Sequence, residues 1–159
     1  MAANETFRLE RSTRIDAPPQ AAFALVDDFH RWTSWSPWEK LDADLQRTYS
    51  GAANGVGAVY AWDGKKAGSG RMEIIASEPG ARIVIKLDFI KPFAAHNTAE
   101  FTFVPDGNGA KVTWAMTGPV TLVSKIMGLF FSTEKFVGPQ FEEGLANMKR
   151  IAEAQPAAA

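Results

Sequence analysis

The segment RIVIKLDF, residues 82–89, decides the fold class, because apolar and polar side chains alternate along it. Ile83, Ile85, Leu87 and Phe89 share one face of the strand that this alternation predicts. Charged side chains occupy most of the opposite face. Since parallel strands are normally buried on both faces, a strand with one apolar and one solvated face indicates an antiparallel sheet.

The alternation extends to both sides of this segment. It recurs at residues 100–103 and 111–117, and turn-forming sequences separate the predicted strands. The turns, which are rich in glycine, aspartate and proline, lie at residues 51–57, 63–66, 79–80 and 106–109. This spacing predicts about six strands joined by hairpins, and the apolar face of such a sheet needs a cover.

The N-terminal part of the chain supplies one more strand and two short helices. Residues 6–16 alternate as a half-buried strand, and the prolines that follow favour the start of a helix over residues 20–28. A second short helix carries Trp32 and Trp35 and ends at the next proline.

After residue 120 the apolar period becomes that of a helix, with Phe141, Leu145 and Met148 on one face. We therefore predict a long C-terminal helix that covers the sheet. Pro139 either kinks or splits this helix at Gly138-Pro139, or begins a new one. The predicted fold class is α+β: about seven antiparallel strands curved around the C-terminal helix, with two short helices after the first strand.

Length and composition restrict the class of protein. The 159 residues fit a single domain, residues 1–159, with a core at residues 6–154 and a disordered tail at residues 155–159. The net charge of -1, from 17 basic and 18 acidic residues, argues against nucleic-acid binding and against a polybasic membrane anchor. The chain has no cysteine, which excludes disulfides and cysteine zinc sites. It shows neither a signal peptide nor a segment suited to membrane insertion, so we expect a cytoplasmic protein.

Several short sequences follow one another along the chain in an order and at a spacing that are typical of one family. They are IDAP at residues 15–18, DFHRW and WSPW within residues 28–38, FTF and VTW within residues 101–114, and FEEGLANMK at residues 141–149. Over residues 7–154 the chain resembles the START-like (SRPBCC) superfamily, and within it the polyketide cyclase/dehydrase and lipid transport family. The resemblance implies a helix-grip fold with an apolar cavity between sheet and helix. Members bind lipids, sterols, polyketides or plant hormones, and some cyclise or dehydrate aromatic polyketides.

The strand alternation and this resemblance together predict which side chains line the cavity. From the sheet we expect Tyr60, Trp62, Met72, Ile85, Leu87, Phe89, Asn97, Phe101, Phe103, Trp114 and Met116. From the C-terminal helix we expect Ile126, Phe130 and Phe136, and from the segment near the cavity mouth Trp35 and Trp38. Each of these side chains either lines a cavity or packs as ordinary core, because ligand pockets are themselves mostly apolar and aromatic.

The tryptophan cluster has two interpretations. Trp32, Trp35 and Trp38 form either a lid or aromatic wall at the cavity mouth, or a hydrophobic plug that fastens the short helix to the sheet. For Trp32 we favour the plug. Trp38, which follows a proline, is the better cavity candidate.

Polar side chains that point inward would orient a ligand. Arg11 and Thr13 fall on the apolar phase of the first strand, so Arg11 is a possible polar ligand contact, although a bulge or edge exposure is the favoured explanation. The phase of Phe101 places Asn97 inward and His96 outward, which argues against a catalytic role for this histidine.

These patterns favour binding or carriage of a hydrophobic small molecule over catalysis. The two histidines are far apart, and the glycine-rich residues 64–70 lack the features of a phosphate loop, so we predict no metal site, no cofactor and no catalytic residues. One alternative is an aromatic polyketide cyclase or dehydratase, which would require a group such as Arg11, Asn97 or Tyr60 in the cavity. A second alternative is a co-chaperone-like protein-interaction module, with an exposed apolar patch and a partner that the sequence does not identify.

Overall fold

A computed structural model of the chain describes residues 6–40, 44–65, 68–91, 95–119 and 138–154. It contains a curved seven-stranded antiparallel sheet, as the alternation predicted. The strands are β1 (Thr6–Ile15), β2 (Gln46–Gly51), β3 (Ala58–Gly64), β4 (Gly68–Glu78), β5 (Arg82–Lys91), β6 (Ala95–Asp106) and β7 (Gly109–Pro119). Their spatial order is β1-β7-β6-β5-β4-β3-β2, so every hairpin joins neighbouring strands and β1 closes onto β7.

Helices cover the concave face of this sheet. Helix α1 spans Pro19–Asp27, and two 3-10 helices follow it at Phe29–Ser34 and Pro37–Lys40. Helix α2 spans Gly138–Ala154 and packs chiefly against β1. Together with the sheet order, this arrangement is the helix-grip fold that the sequence predicted. No helix among the described residues is long and apolar enough to cross a membrane.

The core lies between the sheet and these helices. On α2 the buried side chains include Phe141, Leu145 and Met148, which is the face that the helical period predicted. On β6 the inward-pointing residues from Asn97 to Phe103 are buried, while the residues between them are partly or fully exposed. On β5 the inward-pointing Ile83 and Ile85 are buried. Because the side-chain period of a strand is two, a single residue of slip would have reversed the two faces.

The register of β1 decides between the two explanations favoured for Arg11, a bulge or edge exposure. Each residue from Thr6 to Ile15 pairs in turn with β7, without a shift, so the bulge favoured for Arg11 and Thr13 is absent. Both side chains therefore keep the inward phase of Leu9 and are partly exposed, because β1 forms one edge of the sheet. The register shifts that do occur lie between β4 and β5.

Several expectations fall outside the described residues. The cavity residues Ile126, Phe130 and Phe136 are among them, as are the tail at residues 155–159 and the continuity of the helix before Gly138. Trp38 belongs to the second 3-10 helix, but its side chain is likewise outside the described part of the chain.

Candidate ligand-binding site

One half of the space between sheet and helices is filled by an aromatic stack. The indole of Trp114 lies between the rings of Phe141 on α2, at 3.9 Å, and Phe101 on β6, at 4.9 Å. Trp35 meets the same indole edge-on at 5.4 Å. Gly144 allows this close approach, because a Cβ at this position would lie 2.9 Å from the Trp114 ring.

The two tryptophans of the first short helix are fixed by hydrogen bonds to α1. The indole N–H of Trp32 donates to the carbonyl of Val26 at 2.9 Å, and that of Trp35 donates to the carbonyl of Leu25 at 2.8 Å. These carbonyls belong to the last turn of α1, where backbone acceptors lack partners within the helix. Both tryptophans are fully buried, so Trp32 forms the plug that we favoured for it.

A side chain that lines a space large enough for water keeps some solvent-accessible surface. The side chains around the aromatic stack keep almost none. We call this region the packed half; it comprises Trp35, Tyr60, Ile85, Phe101, Phe103 and Trp114, each no more than 3% exposed. Whether these residues contact a ligand in another state of the protein stays a prediction. In this structure they pack against one another and against the helices.

Accessible inward surface appears towards the other end of the sheet. On β5, Ile85 is fully buried, whereas Leu87 and Phe89 on the same face are partly exposed. On β3 the change occurs between Tyr60 and Trp62. We call this region the open end; it comprises the partly exposed Trp62, Leu87 and Phe89 together with the buried side chains beside them, Met72, Asn97 and Met116.

Strand register brings the members of the open end together. Trp62 pairs with Gly70, which pairs with Phe89, and one row further in Met72 pairs with Leu87. The Trp62 indole lies directly over Gly70, where a Cβ would come within 2.4 Å of the ring. Its ring meets that of Phe89 edge-on at 5.9 Å. The missing side chain at Gly70 thus allows the indole to lie flat along the wall.

Asn97 is a buried polar residue at the open end. Its residue is 8% exposed, and its side-chain N–H points to the sulfur of Met116 at 3.9 Å. The neighbouring His96 faces outward, as predicted, and its ring nitrogen contacts Asp88 at 2.9 Å. The strand phase therefore placed both side chains correctly.

Arg11 points towards α2. Its Nε donates to Glu142 at 3.0 Å, and its guanidinium also donates to the backbone carbonyl of Glu10 at 2.8 Å. Gly138 lies above it, where a Cβ would come within 2.6 Å of the guanidinium. In this structure Arg11 connects the edge strand to the start of α2, and its role as a ligand contact stays a prediction.

A buried polar network beside β2 and β3 was not found from the sequence. The Glu39 carboxylate accepts a hydrogen bond from the Tyr60 hydroxyl at 2.6 Å and another from Nε of Arg47 at 2.8 Å. Arg47 also donates to the backbone carbonyl of Glu39 at 2.9 Å. Burial, followed by the bond to Glu39, raises the pKa of Tyr60 well above its ordinary value. The bond to Glu39 likewise raises the pKa of Arg47. The one feature of the sequence that pointed to this network was that Arg47 lies two residues before Tyr49 and therefore shares a strand face with it.

A small surface cleft lies next to this network. It encloses about 160 Å³ and is lined by the first 3-10 helix, β2 and the β2–β3 turn. The ring of His30 stacks on that of Tyr49 at 4.0 Å, and its Nδ1 contacts Asp28 at 2.9 Å. Burial raises the pKa of Tyr49.

Among the described residues, no group of three or more histidine, aspartate or glutamate side chains is placed to hold a metal ion. The six residues of the open end supply aromatic, thioether and aliphatic surface with a single side-chain amide. Such an arrangement can enclose an apolar molecule and orient it.

Solved structures share this fold at low sequence identity. The di-domain ARO/CYC protein StfQ from the steffimycin biosynthetic pathway matches with a TM-score of 0.75 and 14% identity, over 93% of this chain and 51% of that chain. The di-domain ARO/CYC protein BexL from the BE-7585A biosynthetic pathway matches with a TM-score of 0.72 and 21% identity, over 95% and 51%. Ara h 8.0201 matches with a TM-score of 0.65 and 12% identity, over 95% and 100%. The chain thus spans about half the length of each di-domain protein.

Comparison at the level of sequence identifies the family. No curated protein gives a significant match to the chain. A family model described as polyketide cyclase/dehydrase and lipid transport matches residues 6–153, which include every described strand and nearly all of α2. With this match and the shared helix-grip fold, the chain belongs to the polyketide cyclase/dehydrase and lipid transport family.

Proposed function

We propose that the protein binds a hydrophobic small molecule, such as a lipid or a polyketide, at the open end of the space between sheet and helices. One observation carries this proposal. The inward apolar side chains of β3 and β5 are fully buried over the packed half and keep accessible surface only at Trp62, Leu87 and Phe89.

The proposal gains support from the composition of the open end. Large aromatic and aliphatic surfaces with few polar groups are typical of small-molecule sites. The family description includes lipid transport, and two structural neighbours are described as ARO/CYC proteins of biosynthetic pathways. A cytoplasmic location and the absence of nucleic-acid binding stay predictions from the sequence.

A cyclase or dehydratase acting in the same space is the second candidate, favoured by those ARO/CYC neighbours. Such an enzyme needs an acid or base close to its substrate. Among the described residues of the open end the polar side chain is an amide, Asn97. Tyr60 is bound to Glu39 and Arg11 to Glu142. Binding therefore has more support than catalysis.

The third reading, a protein-interaction module, predicts a continuous exposed apolar patch. The large apolar side chains that are exposed on the described part of the chain are spread over the β2–β3 turn, β4, β5 and β6. They are Val56, Ile75, Ile90 and Val104. Single exposed apolar residues are normal on soluble proteins, so this distribution gives the module no support.

The experiment pairs two neighbouring positions on opposite faces of β5. Phe89→Lys places a charge at the open end, whereas Ile90→Lys places the same charge on the outer face, where Ile90 is 58% exposed. Binding of the neutral apolar probe N-phenyl-1-naphthylamine is measured by fluorescence for both variants and the unmodified protein. We expect Phe89→Lys to weaken binding by at least about tenfold, because the buried area of one aromatic side chain is lost. Ile90→Lys should leave it unchanged.

Equal effects of the two variants, or no binding by the unmodified protein, would contradict the proposal. Native mass spectrometry of protein purified from its own host, followed by organic extraction, then identifies the natural ligand. Variants of Phe103 and Trp114 are unsuitable for this experiment, because both side chains belong to the packed half and their loss would destabilise the fold.

A further inference from the structure

Asn97 lies in an otherwise apolar row of inward-facing side chains. The register pairs Met72 with Leu87 and Leu87 with Asn97, so these three side chains cross the sheet side by side. On the next strand Met116 contacts the Asn97 amide. Nothing in this row offers the amide a strong hydrogen-bonding partner.

The bonding capacity of Asn97 is largely unused. An asparagine side chain has two N–H donors and a carbonyl oxygen with two acceptor sites. The described residues provide it with one weak contact, from N–H to the Met116 sulfur at 3.9 Å. The carbonyl oxygen receives no hydrogen bond from the described part of the chain, although only 8% of the surface of Asn97 is exposed. Among the described residues this oxygen is not one of the fully enclosed polar atoms that lack a partner, so it keeps some accessible surface.

The neighbouring strand leaves space for this amide. Gly118 on β7 faces Asn97, and a Cβ at this position would lie 2.0 Å from the Asn97 carbonyl oxygen. On its other side the same Cβ would lie 3.0 Å from the ring of Phe7 on β1. The absence of a side chain at Gly118 therefore allows the amide oxygen to occupy this position.

We propose that Asn97 orients the ligand by hydrogen bonding, and that the ligand is an apolar molecule with one uncharged hydroxyl or carbonyl group. This inference rests on the ligand site proposed above. The amide accepts through its oxygen and donates through its nitrogen, so a hydroxyl complements both and a carbonyl complements the donor.

The chemistry of the surroundings favours an uncharged group. The other members of the open end are Trp62, Met72, Leu87, Phe89 and Met116, and none carries a charge. A carboxylate buried against such side chains would lose its hydration without gaining a cation from them. An alcohol or ketone loses much less, and the amide restores its hydrogen bond.

The test uses two probes that differ by one hydroxyl group, 2-naphthol and naphthalene. Their dissociation constants are measured by displacement of N-phenyl-1-naphthylamine, and the ratio of the two constants is compared between proteins. In Asn97→Leu we expect the preference for naphthol over naphthalene to fall about five- to tenfold relative to the unmodified protein, the worth of one hydrogen bond in a buried site. Naphthalene itself should bind the variant at least as tightly, and 2-naphthoate should bind the unmodified protein more weakly than naphthol.

His96→Leu is the matched control, because His96 is the next residue on the same strand and faces outward. It should leave the ratio unchanged. Gly118→Ala provides a second variant on another strand: its methyl group displaces the amide, and the preference for naphthol should fall as in Asn97→Leu.

The possible failures are distinguishable. If naphthalene binds but the ratio is unchanged in Asn97→Leu, the role of Asn97 is wrong while the ligand site stands. If naphthoate binds as tightly as naphthol, the uncharged ligand class is wrong. If no probe binds the unmodified protein, the proposed function fails as well.

Discussion

Replacing Arg47 with methionine would leave the buried Glu39 carboxylate without its cation while retaining most of the apolar stem. In the folded protein the Glu39 side chain is 6% exposed and that of Arg47 is 28% exposed. The carboxylate would keep the hydrogen bond from Tyr60 but lose the one from Arg47. Breaking a buried ion pair from one side typically costs about 3–5 kcal/mol. Because Arg47 is partly solvated and Tyr60 still donates, we expect about 2–3 kcal/mol.

The partner variant, Glu39→Gln, should cost less. A glutamine retains the volume and can still accept from Arg47 or Tyr60, so the loss is that of charge assistance, about 1–2 kcal/mol. The double variant has no unpaired charge, and it should therefore be more stable than Arg47→Met alone. The resulting interaction energy between the two positions should be about 1–3 kcal/mol.

Urea unfolding at neutral pH, followed by far-UV circular dichroism, measures these free energies. Arg8→Met is the control, because Arg8 and Glu10 form an ion pair in which both side chains are about half exposed. We expect that variant to lose at most about 1 kcal/mol. The reasoning is refuted if Arg47→Met costs no more than this control, or if the double variant loses the sum of the two single losses.

Three further predictions concern packing and pH. Gly144→Val should destabilise the protein by about 1–3 kcal/mol, measured as a lower unfolding temperature, because its side chain would push into the aromatic stack of the packed half. Gly70→Ala should weaken binding of N-phenyl-1-naphthylamine, because a methyl group there displaces Trp62 from the wall; unchanged binding would contradict this account of the open end. The backbone N–H of Asp16 and then Lys149 lower the pKa of Glu153 from 4.5, so its contribution to stability is present above that value and is lost as the pH falls through the lowered pKa. Urea unfolding of Glu153→Gln should therefore show lower stability than the unmodified protein at neutral pH and a vanishing difference in strong acid.

The sheet was predictable from the sequence because burial of one strand face leaves a period of two in the chain. This alternation predicted that Phe101 and Ile85 point inward. The same alternation placed Asn97 and His96 on opposite faces of β6. The buried face of α2 could be predicted equally well, since Phe141, Leu145 and Met148 follow the helical period. Turn chemistry then placed the hairpins between these elements.

Depth along the inward face was not predictable. Phe101 and Leu87 both alternate correctly, but Phe101 is packed under Trp114 whereas Leu87 keeps accessible surface. Alternation identifies which face of a strand points inward, but it carries no information about how closely a distant helix approaches that face. The approach of α2 depends on the missing side chain at Gly144, and no repeating pattern in the sequence indicates its importance.

The Glu39 network was missed for a related reason. Arg47 and Tyr60 lie eight and 21 residues away from Glu39 along the chain, on two strands, so no local spacing marks the three as partners. A single glutamate after a Ser-Pro-Trp sequence reads as an ordinary surface residue, since most glutamates are exposed. The pairing of β2 with β3 brings Arg47 and Tyr60 close together, and the second 3-10 helix places Glu39 against them.

These contacts also bear on the choice between binding and catalysis. Tyr60 donates its proton to Glu39 within a hydrogen bond of 2.6 Å, and its raised pKa keeps the phenol protonated near neutral pH. Arg11 is engaged with Glu142 on α2. For Tyr60 to pass its proton to a substrate, its hydrogen bond to Glu39 would have to break, and the fold would lose a contact between β3 and the second 3-10 helix. Binding requires no such change, because the open end already presents its apolar surface together with the Asn97 amide. A reaction in this protein would therefore reveal itself by a dependence on Tyr60 or Arg11 that ligand binding lacks: Tyr60→Phe should leave probe affinity unchanged, and a loss of affinity would show that the packed half takes part in binding.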